Sequence, residues 1–515
     1  MKSAASLSQD LIDRLRASAQ AAWDAKDFKT GLQTMELASK LALADGMVWL
    51  QLGHYYGSRC DYAAAERCFD RVIGLAAGKT AVMAQVAGLC VQFVNQALAL
   101  HYFNQAVRQP DASAPMCVRL AELYDRLGRP TEARTLLDRA LGMDPAYAPA
   151  MIVCARLDRQ AGRLEEAERR LRTIPPNSKQ VVLIHTYYEL GQVLDRQGRY
   201  DEAMAAFLSA KKLLRPDAQR WLPELKKHRA VIREQQIWFS TETLQRWRDI
   251  GDQLQPRRRI AFLGGHPRSG TTLLEQVLDS HPGIIAAGET QVFANEALAP
   301  LKVLPPKEPP NLTALESLSR RMLQTTRANY FQFMEKVLGA PIGDRLLIDK
   351  NPALMALLPA FVRIFPEVKI LVPLRDPRDV VLSCFMQTYL PVTLGSVAYQ
   401  SLEETVDGYN LIMGGWKSAA AILPNPWLEV RYEEMVDDLP AAAKRVVDFL
   451  GLPWDARVLE FYQHAQQKHI HSPTYADVTR PIFKRAVGRW RNYQKYLEPH
   501  LPKLEPIIRA LGYSL

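Results

Sequence analysis

Two clusters in the second half of this 515-residue chain have residue types and spacings suited to holding anions. The first is Gly264-Gly265-His266-Pro267-Arg268-Ser269-Gly270-Thr271-Thr272, between a β-type run (Arg259 to Gly265) and a helical pattern from Leu273 onward. A strand, a glycine loop and a helix in that order present several backbone N–H groups and the positive end of a helix dipole to one anion. Arg268 adds a planar fork that suits a tetrahedral oxyanion group, and hydroxyls follow it. The second cluster, Arg375-Asp376-Pro377-Arg378-Asp379 followed by Ser383, comes directly after the run Lys369 to Leu374. An arginine at a strand end and a serine one or two turns into the next helix can grip a second phosphate. The competing reading is a surface salt bridge between Arg375 or Arg378 and Asp379.

The elements that must position these clusters are short buried strands alternating with helices. Arg259 to Gly265, Leu346 to Ile348, Lys369 to Leu374 and Trp427 to Arg431 read as strands. Helical periodicity is clearest at Leu273 to Leu278, Ala353 to Ile364, Val380 to Tyr389 and Ala441 to Leu450. Such alternation predicts a parallel sheet covered on both faces, with ligands at the carboxyl ends of its strands. Gly265 to Gly270 has the spacing of a nucleotide P-loop, but Thr271 replaces the lysine that serves β and γ phosphates. That departure argues against ATP or GTP.

The first two hundred residues have another texture. Met35, Phe69, Phe103, Leu137 and Leu171 are each 34 residues apart, and Phe207 follows after 36. Three positions beyond each come Ala38, Val72, Ala106, Ala140, Ile174 and Ala210, and Leu52-Gly53, Leu120-Ala121 and Leu190-Gly191 recur between them. This pattern resembles the tetratricopeptide repeat, with about six units between residues 11 and 214. Helix hairpins of this kind stack into a right-handed solenoid whose concave groove suits a protein or peptide partner. The expected organisation is a repeat solenoid at 1–214, a helical linker at 215–256 and a P-loop-like α/β domain with a central parallel sheet at 257–515.

Composition narrows the class. A chain 48% hydrophobic and 23% charged is neither disordered nor collagen-like. No apolar run reaches the 18 or so residues of a membrane span, and with Asp10 and Asp13 ahead of any apolar stretch the opening residues are not expected to act as a secretory signal. The net charge of +10 points to anionic partners. Six scattered cysteines without a CxxC read as free thiols in a reducing compartment, hence a cytoplasmic expectation, and not as a zinc site.

Together the two anion clusters resemble the cofactor motifs of the sulfotransferases, nearest to the tyrosylprotein sulfotransferases and their repeat-bearing bacterial relatives, over roughly residues 257–515. The resemblance implies 3′-phosphoadenosine 5′-phosphosulfate as donor, 3′-phosphoadenosine 5′-phosphate as product, and no metal. It assigns Pro267, Arg268, Ser269, Gly270, Thr271 and Thr272 to the 5′-phosphosulfate and Arg375 and Ser383 to the 3′-phosphate. Tyr432 falls beside the cofactor, and Arg489 where a C-terminal basic residue meets the 3′-phosphate. Among catalytic groups, Glu289 matches the base, Arg268 the sulfuryl-stabilising arginine and Lys350 a lysine on the leaving oxygen. Thr474 falls where the family has a serine near the leaving group. Gly288 replaces a second acidic residue of the tyrosylprotein enzymes.

Sulfuryl transfer is an in-line displacement at sulfur, needing a base for the incoming hydroxyl and cations around the equatorial and leaving oxygens. A phenol with a pKa of about 10 is the easier acceptor for a carboxylate base. His266 sits inside the anion loop and His281 in a turn before Pro282, so neither is assigned as base. The basic segment Arg480 to Arg491 is accounted for by a nucleotide cofactor, not by nucleic acid. Two alternatives remain at this level, a non-catalytic repeat scaffold with a nucleotide-binding domain and a small-molecule kinase. Acceptor identity (tyrosine, carbohydrate or small phenol) and oligomeric state are left open.

Overall fold

A computed structural model describes residues 4–237, 240–251, 253–301, 312–466 and 475–515. The chain forms two compact units. One comprises Met1–Asp125 with Arg129–Cys154, the other Ala155–Leu515 with Arg126–Gly128.

Helix pairs fill the first unit, from Ala4–Asp24 and Phe28–Leu41 to Ala114–Arg126 and Pro130–Met143. Asp27, Asp45, Asp61 and Asn95 each accept from first-turn N–H groups of the helix that follows, which fixes where four of these helices start. The 34-residue period has a backbone counterpart. Lys26, Cys60, Val94, Gly128, Gly162 and Gly198 all have positive φ, one per repeat turn, and the final interval carries the same two-residue insertion. The periodic bulky residues are core. Met35, Phe69 and Leu137 are 0% exposed and Phe103 is 1%. A Cβ on Gly53 would stand 2.5 Å from the Phe69 ring, so the recurring Leu-Gly pair exists because two helices touch there.

In the second unit, helices Leu164–Arg172, Gln180–Arg196 and Tyr200–Gln219 continue the pattern, with Gly191 against Phe207 as Gly53 is against Phe69. Helices Leu222–Ile237 and Thr241–Gly251 follow. Arg229 on the former is buried in an ion pair with Glu404, and Trp247 on the latter is buried under the Arg363 guanidinium. This stretch, expected as a linker, is packed into the second unit.

The sheet has five parallel strands: β1 (Ile260–Leu263), β2 (Ile284–Ala286), β3 (Leu346–Lys350), β4 (Lys369–Leu374) and β5 (Trp427–Arg431), in the order β2-β3-β1-β4-β5. Every residue of β1, β2 and β3 is buried, as expected for a sheet covered on both faces. Leu263, Ile284, Ile348, Leu371 and Val430 join Leu274, Val277, Val446 and Val447 in one core. Short β2, wedged between Gly283 and Ala287, went unread in the sequence. The expected helix over Ala353 to Ile364 divides into a 3₁₀ turn, Pro352–Leu357, and a helix, Leu358–Ile364, because Pro359 has no N–H to continue the ladder. The helix expected to reach Tyr389 ends at Phe385.

Candidate active site

Because all five strands run parallel, their carboxyl ends share one edge, and each delivers a candidate residue there. The register pairs Leu263 with Lys350 and Leu263 with Leu371, so the loop after β1 lies between the ends of β3 and β4. β1 runs into the glycine loop, β3 ends on Lys350, β4 is followed by Arg375 and β5 by Tyr432. Glu289 comes three residues after β2.

The loop is built for close approach. Gly270 has φ +101° and caps helix Thr271–Asp279 without any side-chain cap bond, and uncapped first-turn N–H groups are a geometry that suits an anion. A Cβ there would stand 2.8 Å from the Tyr432 ring. Arg268 also has positive φ, 71°, which turns its side chain toward the second cluster; Nε donates to Ser383 Oγ at 3.1 Å. Ser269 is consumed internally, its hydroxyl donating to His266 O at 2.7 Å. Pro267 O accepts from the His266 ring at 2.9 Å, and Thr271 and Thr272 are buried at the helix start.

Arg375 is buried, and its Nη1 donates to Arg268 O at 3.4 Å while Nη2 donates to Ala486 O. Its guanidinium lies 5.0 Å from the centre of the Tyr432 ring, and its Nε is buried with no hydrogen-bond partner among the described residues. Arg375 also lies 3.6 Å from Asp379, but Asp379 is buried and receives the backbone N–H groups of Gly488 and Trp490, each at 2.8 Å. Arg378 pairs instead with Asp376 at 2.7 Å. The surface salt bridge weighed from sequence is therefore a buried clamp on the C-terminal segment.

Lys350 Nζ lies 2.8 Å from Glu289 Oε1 and 3.1 Å from Glu275 Oε2. Glu289 is partly open, its side chain 38% exposed, whereas Lys350 and Glu275 are buried. Burial pushes the Glu275 carboxyl up and the Lys350 ammonium opposes it; for Lys350, burial is outweighed by the two carboxylates, which hold its pKa above the ordinary value. Neighbouring Asp349 is pushed up to about 7 by burial and receives the Tyr330 hydroxyl at 2.7 Å.

Arg489 sits elsewhere in this network. It forms an ion pair at 2.8 Å with Asp195, on repeat helix Gln180–Arg196, and Asp195 also accepts from Tyr493 at 2.7 Å. Thr474 lies outside the described residues. His266 is buried with its pKa lowered to about 4 by desolvation, and His281 is held between Pro453 O and Gly283 N. Sequence reading missed Glu275 and Asp195. The available signal for Glu275 was a lone carboxylate inside the apolar run Leu273-Leu274-Glu275-Gln276-Val277-Leu278.

The groups at the strand ends have a chemistry that suits two phosphates: a glycine loop at a helix start without a side-chain cap, and a buried guanidinium whose Nε has no hydrogen-bond partner among the described residues. Among the described residues no group of His, Cys, Asp and Glu is placed to hold a metal ion, and no helix is long and apolar enough to cross a membrane.

Comparison with known proteins agrees with both halves of this architecture. Residues 261–456 match the model of the sulfotransferase family, and residues 95–148, 128–182 and 184–213 match tetratricopeptide-repeat models. An uncharacterized protein of Aquifex aeolicus (strain VF5) is 26% identical over 63% of this chain and 42% of its own length. The chain thus spans under half of that relative. Protein-tyrosine sulfotransferase A of Caenorhabditis elegans is 26% identical over 49% of this chain and 67% of its own. Among solved structures, the sulfotransferase domain of the Synechococcus PCC 7002 olefin synthase covers 48% of this chain and 96% of its own, at 20% identity and a TM-score of 0.33.

Proposed function

We propose that this chain, a sulfotransferase-family region joined to tetratricopeptide repeats, transfers a sulfuryl group from 3′-phosphoadenosine 5′-phosphosulfate to the hydroxyl of a protein or peptide acceptor, with tyrosine as the favoured side chain. The observation that carries the reading is the hydrogen bond from Arg268 to Ser383 at 3.1 Å, which brings a residue of each cluster together at the strand ends. When bound, the donor would supply an activated sulfate on a 5′-phosphate.

The chain's own residues divide the remaining work. The loop N–H groups and helix start orient an oxyanion, and Arg375 with Ser383 anchors a second one. Tyr432 packs against Gly270 and under Arg375, which fixes the guanidinium plane. Glu289, the most open carboxylate of the cluster, is the group able to take a proton from an acceptor hydroxyl. Lys350 and Arg268 supply fixed positive charge where the family resemblance puts the leaving and equatorial oxygens. A phenol suits a carboxylate base better than a sugar hydroxyl does, and the protein-tyrosine sulfotransferase names among the relatives support the same acceptor class. The repeats fit recruitment of a polypeptide substrate or partner.

The test is calorimetric titration with 3′-phosphoadenosine 5′-phosphate in metal-free buffer, beside an Arg375→Ala variant. Wild-type binding near micromolar (about −8 kcal/mol) that weakens at least tenfold in the variant is the expected result. Absence of wild-type binding would overturn the reading.

A further inference from the structure

Resting on the sulfuryl-transfer reading, we propose that Glu275 is a positioning residue of the same site, the permanent counter-charge that holds Lys350 charged and in place when Glu289 leaves it for the acceptor. Lys350 is the last residue of β3, and its ammonium is shared between two unlike carboxylates. Glu289 is the exposed one. If it accepts a proton from an acceptor, it must give up at least part of its bond to Lys350, and neutralisation removes its charge. A buried ammonium without a counter-ion is strongly disfavoured, so a second partner is required to keep Lys350 in register.

Glu275 meets that need. It lies one turn into helix Thr271–Asp279, four residues after Thr271, so the helix that presents its N-terminus to the anion loop also carries the carboxylate that fixes the lysine. Its side chain is 4% exposed, which shuts it off from an acceptor in solution. Among the described residues, the neighbouring acids Asp349 and Asp279 have hydrogen-bond partners other than Lys350. Asp349 receives Tyr330, and Asp279 bonds Ala286 N and the His464 ring, each at 2.8 Å. The division of labour is therefore one buried carboxylate to hold Lys350 and one open carboxylate to meet substrate.

Lys350 reports on this directly through its proton. With Glu275 neutralised, desolvation acts on the ammonium with one fewer carboxylate opposing it, so the neutral amine appears at lower pH. The experiment is competitive acetylation of the full-length protein from pH 7 to 10.5, with Lys350 reactivity read by mass spectrometry in wild type, Glu275→Gln and Glu275→Asp. The onset of Lys350 labelling is expected to move down by about one pH unit in Glu275→Gln, a tenfold rise in reactivity at fixed pH. In Glu275→Asp, which restores the charge, the onset should return toward wild type. Identical profiles in wild type and Glu275→Gln, or a Glu275→Asp profile matching Glu275→Gln, would overturn the proposal. Titration of the same proteins with 3′-phosphoadenosine 5′-phosphate separates the two readings. A labelling shift between wild type and Glu275→Gln, with no nucleotide bound by wild type, retires the sulfotransferase reading but leaves the Glu275–Lys350 link intact. Nucleotide binding with no labelling shift retires Glu275 alone.

Discussion

Replacing Lys211 with methionine should stabilise the protein near neutral pH and lose that advantage at pH 10.5. Lys211 is on the last repeat helix, Tyr200–Gln219, and only 5% exposed. Its Nζ donates to Tyr399 O at 2.6 Å and lies 5.4 Å and 5.0 Å from the Tyr188 and Phe385 rings. Burial dominates, lowering its pKa from 10.5 to about 7. A displacement of that size sets an upper bound on the order of 5 kcal/mol on the cost of the charged form. Methionine forfeits two cation–π contacts of about 1 kcal/mol each and a hydrogen bond of about 1 kcal/mol. The net gain is then about 2 kcal/mol at pH 6.5. The sign follows from proton linkage. Below about pH 7 the lysine is charged in both folded and unfolded chains, and the fold bears the full cost. Between about 7 and 10.5 the unfolded chain holds a proton that the folded one has released, so wild-type stability climbs with pH. Above that window the lysine is neutral in both states, the cost and the cation–π contacts are gone, and the variant lacks only the hydrogen bond to Tyr399 O. Urea unfolding of both proteins at pH 6.5 and 10.5, followed by tryptophan fluorescence, measures the difference directly. Equal destabilisation by the substitution at both pH values would refute the reasoning, because it would mean that the rings and Tyr399 fully compensate the buried charge.

Gly270→Ala places a Cβ 2.8 Å from the Tyr432 ring at a φ of +101°. It should cost about 1–3 kcal/mol in unfolding free energy and weaken 3′-phosphoadenosine 5′-phosphate binding at least tenfold by calorimetry. An Asp195→Ala/Arg489→Ala double-mutant cycle should give a coupling of about 1–3 kcal/mol without nucleotide. Saturating nucleotide should shrink that coupling, since the carboxylate and a 3′-phosphate would draw on the same guanidinium. Unchanged coupling would place Arg489 outside the nucleotide site. The Arg375→Ala and Glu275→Gln measurements described above complete the set.

The sequence alone determined the repeat architecture, because a 34-residue period in bulky and small residues is a one-dimensional record of helices touching at fixed intervals. Phe69 and Gly53 each belong to a recurring series in the sequence, and the structure brings the Phe69 ring to 2.5 Å from where a Gly53 Cβ would be. The strand, glycine loop and helix order was legible for a similar reason, since the three are contiguous in the chain. The parallel sheet followed from alternating elements, and with it the strand ends after which Arg268 and Arg375 stand; Glu289, Lys350 and Tyr432 came from the family resemblance. What the tertiary structure decided are the pairings between residues far apart in the chain. No local pattern tells that Lys350 is divided between Glu275 and Glu289, that Asp379 is a buried clamp on Gly488 and Trp490, or that Arg489 turns to Asp195 of a repeat helix. Charge pairing acts over a few ångströms in space and is indifferent to separation along the sequence. Periodicity and turn chemistry are properties of neighbours, so they can be read before the chain is folded; the partners of a buried charge exist only after it.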